Sequence, residues 1–150
     1  MIKAIIEIPK GSNYKYEVDK DTGRLVLDRV ISLKYPASYG YIPETLELDG
    51  DPLDLFVISS KKIPPLTIIK CNIHGAFICT DNGIQDNKLI ATLDGEEHAL
   101  SLLPKINTFL CGYKEGFIVH SYESKEIAES ILKKATEDFI LNTIRQRFES

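Results

Sequence analysis

The stretch Asp49-Gly50-Asp51-Pro52-Leu53-Asp54-Leu55-Phe56-Val57-Ile58 sets three carboxylates in six residues directly against an apolar run. Asp, Gly and Pro are turn formers and the run that follows reads as a buried strand, so the segment is a turn feeding a strand. The first four residues alone fit an ordinary hydrophilic turn. Asp54 does not, because it stands inside the expected strand between Leu53 and Leu55, where a carboxylate loses hydration unless a cation or donor compensates. Working outward, residues 1 to about 93 hold further runs of the same kind: MIKAIIEI, YKYEVD, RLVLDRVI, TIIKCNIHGAFIC and NKLIATL. Turn formers separate them at 11–13, 21–23, 49–52, 61–66 and 80–83. Short strands followed by helical patterns predict a mainly β, α+β fold, a small barrel with helices on one side.

Residues 97–111 predict a short helix with Leu103, Ile106 and Leu110 on one face and Pro104 in its first turn. Residues 124–148 predict a long one. There Ile127, Ile131, Ala135 and Phe139, joined by Leu132, Leu141, Ile144 and Phe148, form a stripe at helical spacing. Ser124 is the expected N-cap, with Glu126 in the first turn, and the stripe is expected to pack on the barrel. No repeat, linker or low-complexity tract interrupts residues 1–150, which are expected to form one domain.

Of the 150 residues 43% are hydrophobic and 27% charged, with 18 Lys and Arg against 22 Asp and Glu, a net charge of −4. At this length folding removes about 68–70% of the unfolded chain's surface from water, so the core needs no disulfide or metal. An acidic balance argues against nucleic-acid binding through bulk charge. The N-terminal apolar run breaks at Glu7 and Pro9, too early for a signal peptide or a membrane span, and a cytoplasmic protein is expected. Cys71, Cys79 and Cys111 lack a C-x-x-C pair and read as reduced, mostly buried thiols. His74, His98 and His120 lack ligand spacing and read as surface or packed imidazoles.

Three like charges a few ångströms apart raise one another's pKa unless a divalent cation holds them, and hard oxygen donors imply Mg²⁺, Mn²⁺ or Ca²⁺ over zinc. A calcium EF-hand fails at Leu53, Asp54 and Ser60. Asp81 and Asp86 flank the turn NGIQ, with Lys88 two residues on. Alone they are an ordinary hairpin; beside the first cluster they could complete a multi-metal site. Lys15 and Glu17 share one face of an expected strand. Arg29 reads first as a structural ion pair with a neighbouring acid. Tyr35, Tyr39 and Tyr41 crowd the approach to the acidic turn, and Tyr113-Lys114 repeats a phenol beside a cation. Carboxylates for metals together with Lys, Arg and Tyr for an anion suit a polyanionic phosphate substrate.

Seven motifs in order carry a resemblance: IEIP with Glu7, KYE with Lys15 and Glu17, LDR with Arg29, YP-x-x-YGYIP with Tyr35 and Tyr39, DGDPLDL at 49–55, D-x-x-x-x-D-x-K with Asp81, Asp86 and Lys88, and Tyr113-Lys114. In these the chain resembles the soluble family I inorganic pyrophosphatases over about residues 2–122. The resemblance implies a five-stranded, OB-like β-barrel flanked by helices, and hydrolysis of pyrophosphate to two phosphates with several Mg²⁺ ions, Mn²⁺ or another divalent ion being the alternative. It also implies that Asp49, Asp54, Asp81 and Asp86 hold metal and that Asp51 both touches metal and accepts the proton of the attacking water. By the same resemblance Glu17, and Glu7 through water, would complete the metal shell, and Lys15, Arg29, Tyr39, Tyr113 and Lys114 would hold phosphate, with Lys88 and Tyr35 supporting.

The departure lies between Lys88 and Tyr113, where 24 residues stand and bacterial-type relatives have a longer loop and helix. A homo-oligomer is expected, but the hexamer is not carried over. Two rival readings stand beside this one. The site inventory alone allows a phosphohydrolase acting on another small phosphate compound, and a barrel of this kind can be a binding module without catalysis.

Overall fold

A computed structural model describes residues 1–149. Its strands are β1 (Ile2–Ile8), β2 (Tyr14–Val18), β3 (Leu25–Val30), β4 (Ser38–Ile42), β5 (Leu53–Ile58), β6 (Ile68–Asp81), β7 (Ile84–Gln85), β8 (Lys88–Thr92) and β9 (Phe117–Glu123). Two α-helices are present, α1 (Leu103–Cys111), preceded by a 3₁₀ segment at Glu97–Leu102, and α2 (Lys125–Glu149). Five strands close a ring. β1 pairs with β4, β4 with β5, β5 in parallel with β8, β8 with β6, and β6 returns to β1. Closure removes the exposed edges that an open sheet would present.

β6 makes the ring possible by its length. It pairs with β1 through Ile68–Cys71, with β8 through 72–77 and with β9 through 76–81, bending at register shifts between Ile73 and Gly75 and between Ile78 and Cys79. Such bulges let one strand turn a corner. β7 and β9 hang on β6 outside the ring, and β2 with β3 forms a separate antiparallel ribbon whose β2 lies against β1. The barrel is therefore five-stranded as expected, with added strands.

Period-two alternation explains why the run after Asp54 is apolar at every position. Leu53, Leu55 and Val57 face one core together with Ile6, Cys71, Leu89 and α2 residues Ala128 and Ala135. Phe56 and Ile58 face another, with Tyr35, Tyr39, Ile90 and α1 residues Ile106, Phe109 and Leu110. A strand buried on both faces carries no polar alternation to betray it.

β4, β7 and β9 are absent from the runs read as strands in the sequence. In β4, Gly40 between two tyrosines looks like a loop. Here the glycine is needed, because a Cβ would collide with the Ile5 carbonyl of the paired strand. α1 starts with Pro104 in its first turn, as expected, but the residues before it wind as 3₁₀. α2 begins where expected, with the Ile127 amide donating to Ser124 Oγ at 3.4 Å. The apolar stripe on α2 needs correction. Ala128, Ile131, Leu132 and Ala135 pack on the barrel, whereas Ile127, Leu141, Ile144 and Phe148 are exposed. At 25 residues the helix is roughly 37 Å long, and its second half outruns the barrel it was expected to cover.

Cys71 and Cys79 are buried, Cys111 is exposed, and all three are free thiols. Burial pushes the Cys71 thiol up to about 11 and Cys79 to about 12, which keeps both protonated and unreactive. His74 bonds Thr92 and His120 bonds Thr80, in agreement with structural roles. Among the described residues no helix is long and apolar enough to cross a membrane.

Candidate active site

One cleft of about 150 Å³ collects charged residues from along the chain, from Glu7 to Lys114. From β1 comes Glu7, 5% exposed, whose Oε2 accepts the Val18 amide at 2.8 Å and lies 3.6 Å from Lys20 Nζ. Burial raises its pKa, against the pull of that amide and of Lys20. From β2 come Lys15 and Glu17, on the shared face their spacing predicts. β4 supplies Tyr39 and Tyr41, and the loop between β4 and β5 supplies Asp49 and Asp51.

The loop tip is self-bonded: the Glu47 amide donates to the Asp51 carbonyl at 2.8 Å and the Asp51 amide to Asp49 Oδ1 at 3.0 Å. Gly50 takes φ +89°, a left-handed value that a residue with a Cβ disfavours. Burial raises the pKa of Asp49; the Asp51 amide opposes this and the neighbouring carboxylates add to it.

Asp54 lies on β5, as expected, opposite Tyr41 on one side and Lys88 on the other. The compensating cation beside it is Lys88. That lysine is 2% exposed, and its Nζ donates to Asp54 Oδ2 at 2.8 Å, Asp86 Oδ1 at 2.9 Å and Tyr39 Oη at 2.6 Å. Burial works against its charge, but Asp54 and Asp86 outweigh burial and its pKa stands above the ordinary lysine value. Burial likewise pushes up the Tyr39 phenol, with Asp54 adding to the effect, so Tyr39 is a neutral donor.

Asp81 ends β6 and Asp86 follows β7, joined by a tight hairpin in which Asn82 and Gly83 both take positive φ. Such a turn is what an Asn-Gly pair forms. Lys114 Nζ contacts Asp81 Oδ2 at 2.6 Å, and Tyr113 beside it lines the cleft, with Lys15 Nζ 5.9 Å from its ring centre.

Twelve of the fourteen residues singled out in the sequence line this cleft, and Arg29 and Tyr35 do not. Arg29 lies across the ribbon from Lys15, with its Nε 3.9 Å from Asp28, the structural ion pair its spacing suggested first. Asp28 also pairs with Lys15 at 3.4 Å. Tyr35 is fully buried behind Tyr39 and Tyr113, its hydroxyl without a hydrogen-bond partner among the described residues. Sequence reading missed Tyr16, Lys20 and Pro52 as lining residues and gave Tyr41 no role beyond its place among the crowded tyrosines. Tyr41 was accessible from period-two spacing after Tyr39. Lys20 was not, because only folding brings it over the Tyr41 ring, 4.4 Å from its centre.

The donor set suits a hard divalent cation, being carboxylate oxygen throughout. Among the described residues no three acids converge as a ready coordination shell, since Lys88 and Lys114 hold Asp54, Asp86 and Asp81.

The model of a family described as inorganic pyrophosphatase matches residues 4–140. The chain belongs to the inorganic pyrophosphatase family. Family members hydrolyse pyrophosphate to phosphate and depend on metal ions, and this chain is a hydrolase of that kind. It is similar to the inorganic pyrophosphatase of Campylobacter jejuni, 36% identical over 157 residues that cover 92% of this chain and 91% of that protein. Similarity to the Nanoarchaeum equitans inorganic pyrophosphatase is 40% over 157 residues, covering 92% and 97%. Its fold superposes on the inorganic pyrophosphatase of Helicobacter pylori with a TM-score of 0.81 at 34% identity, covering 91% of this chain and 92% of that one. The Thermus thermophilus enzyme gives a TM-score of 0.83 at 28% identity, covering 91% and 90%.

Proposed function

We propose that this cleft hydrolyses pyrophosphate with Mg²⁺, several ions per site, and that Mn²⁺ can substitute. The observation that carries the reading is the gathering of five aspartates, two glutamates, four lysines and four tyrosines in one small cleft, acceptors for cations among donors for an anion. Asp49, Asp51, Asp54, Asp81 and Asp86 would hold the metal, with Glu17 and, through water, Glu7 supporting them. When bound, divalent ions lower the pKa of a water and offset the charge of the diphosphate.

The chain's own residues do the rest. Asp51 takes the proton of the attacking water on a carboxylate oxygen, as general base. Lys15, Lys114, Tyr39 and Tyr113 donate to phosphate oxygens, line the P–O–P axis up for in-line displacement and stabilise the departing phosphate. Arg29 adds its guanidinium by leaving Asp28, while Lys88 and Tyr35 brace Asp54, Asp86 and Tyr39. Phosphate release from pyrophosphate tests this. Release is expected with Mg²⁺, to be lost in EDTA and suppressed by Ca²⁺, with nucleoside triphosphates left untouched. Absence of release with Mg²⁺ would sink the reading, and rapid hydrolysis of triphosphates would move it to another phosphohydrolase.

We further infer that residues 1–150 act as one domain in the cytoplasm, where three free thiols stay reduced, and that the protein is a homo-oligomer. Ile140, Leu141 and Ile144 form an exposed apolar strip on α2, with Leu48 exposed on the nearby loop. Leu141→Lys with Ile144→Lys is expected to reduce the mass measured by light scattering to that of a smaller assembly. An unchanged mass would place the contact elsewhere.

A further inference from the structure

Resting on the metal-site reading above, we infer that Thr45 is a positioning residue, a buried hydroxyl that sets where Asp49 and Asp51 stand relative to Asp54. The three acids are held by different means. Asp54 is fixed by strand pairing to Tyr41 and Lys88. Asp49 and Asp51 lie on an exposed loop tip between β4 and β5.

Thr45 closes the base of that loop. Its Oγ1 donates to the Ile42 carbonyl, the last residue of β4, and accepts the Leu53 amide, the first of β5, at 2.9 Å. One hydroxyl thus ties together both ends of the segment that carries the two acids, and at 3% exposure it has no access to solvent that could replace it. The bond runs next to a strained residue, since Glu44 takes φ +59° without being glycine. Backbone in that region persists only where its surroundings over-determine it. Behind Thr45 the Leu46 amide donates to the Ala135 carbonyl of α2 at 3.0 Å, so the loop base is also strapped to the helix. Thr45 itself does not line the cleft and acts only through the acids. Residues that orient metal ligands in this way change metal affinity by about 10–100-fold when lost.

The test is a Mn²⁺ titration of the substrate-free protein, followed by the electron-spin-resonance signal of the free ion. T45V and T45A are each expected to weaken the tightest Mn²⁺ site by about ten-fold or more, while T45S, which keeps the hydroxyl, stays close to wild type. Thermal midpoints in EDTA separate this from a merely structural role, in which midpoints fall and Mn²⁺ affinity of the folded variants does not change; that result overturns the proposal. Wild type supplies a second measurement that needs no variant to fold. Coupling is reciprocal, so saturating Mg²⁺ must slow amide exchange at Leu53 by more than at Ile73 on β6, and equal slowing at both overturns the proposal too. A wild type that binds no Mn²⁺ overturns the metal-site reading together with this one, whereas binding that T45V leaves intact overturns this one alone.

Discussion

Asp51→Asn is expected to lower kcat for pyrophosphate hydrolysis by about 10²–10⁴-fold, the usual worth of a general base, while leaving the fold intact. The substitution keeps the side chain's size and the backbone amide that bonds Asp49 Oδ1. What it removes is a proton acceptor and one negative charge. The stability consequence has the opposite sign to the catalytic one. Burial raises the Asp49 carboxyl, the Asp51 amide opposes this, and the charges of Asp51 and other neighbours add to it, so neutralising residue 51 relieves repulsion in the metal-free protein. Its thermal midpoint in EDTA is therefore expected to match or exceed that of wild type, as happens where a site trades stability for function. Steady-state phosphate release and a thermal melt, made on the same preparation, check both halves. Undiminished turnover would remove Asp51 from the role of base; lost turnover with a collapsed melt would show that the residue holds the loop.

The legible and illegible parts of this molecule divide along a physical line. DGDPLDL could be read because its chemistry is local: the turn, the strand it feeds and the acid trapped inside that strand lie within seven residues. Asp54 was correctly marked as needing a positive partner. The partner beside it, Lys88, is 34 positions away, reached through parallel pairing of β5 with β8. Pairing of distant strands leaves no mark in a local pattern. Gly40 and its flanking tyrosines show the complementary failure, since the feature that makes β4 look like a loop is the one that lets it approach β1. The α2 stripe failed for another reason. Helical periodicity reports which side chains share a face, but it does not report how far the opposing surface extends, and here that surface ends near Ala135. The cleft still gathers twelve of the fourteen candidate residues, which chemical type and the family resemblance had marked. Their mutual geometry came from the ring.

Lys88→Met carries the largest expected loss of stability, about 3 kcal/mol in EDTA, at the low end of what breaking a buried ion pair costs. Methionine fills much of the lysine stem's volume, so the loss is electrostatic. It strands Asp54 and Asp86, whose side chains are 23% and 14% exposed, and takes the donor from Tyr39 Oη. Partial access of water to both acids keeps the figure from rising further. The pH dependence follows with a definite sign. Asp86 is already raised by burial against the pull of Lys88; without the lysine its folded pKa rises further above the unfolded value. A carboxylate of that kind costs stability above its folded pKa and ceases to cost it once protonated. The deficit of Lys88→Met should therefore be full at neutral pH and shrink on acidification. Divalent cation should narrow it as well, because the two freed acids bind metal more tightly in the variant and binding stabilises the folded state by mass action. Urea denaturation of both proteins, in EDTA and in Mg²⁺ at neutral and mildly acidic pH, measures all three effects. Equal stability of the two proteins in EDTA at neutral pH would mean that Asp54 and Asp86 are solvated well enough to need no lysine, and the account of Lys88 as the resident counter-charge would fall.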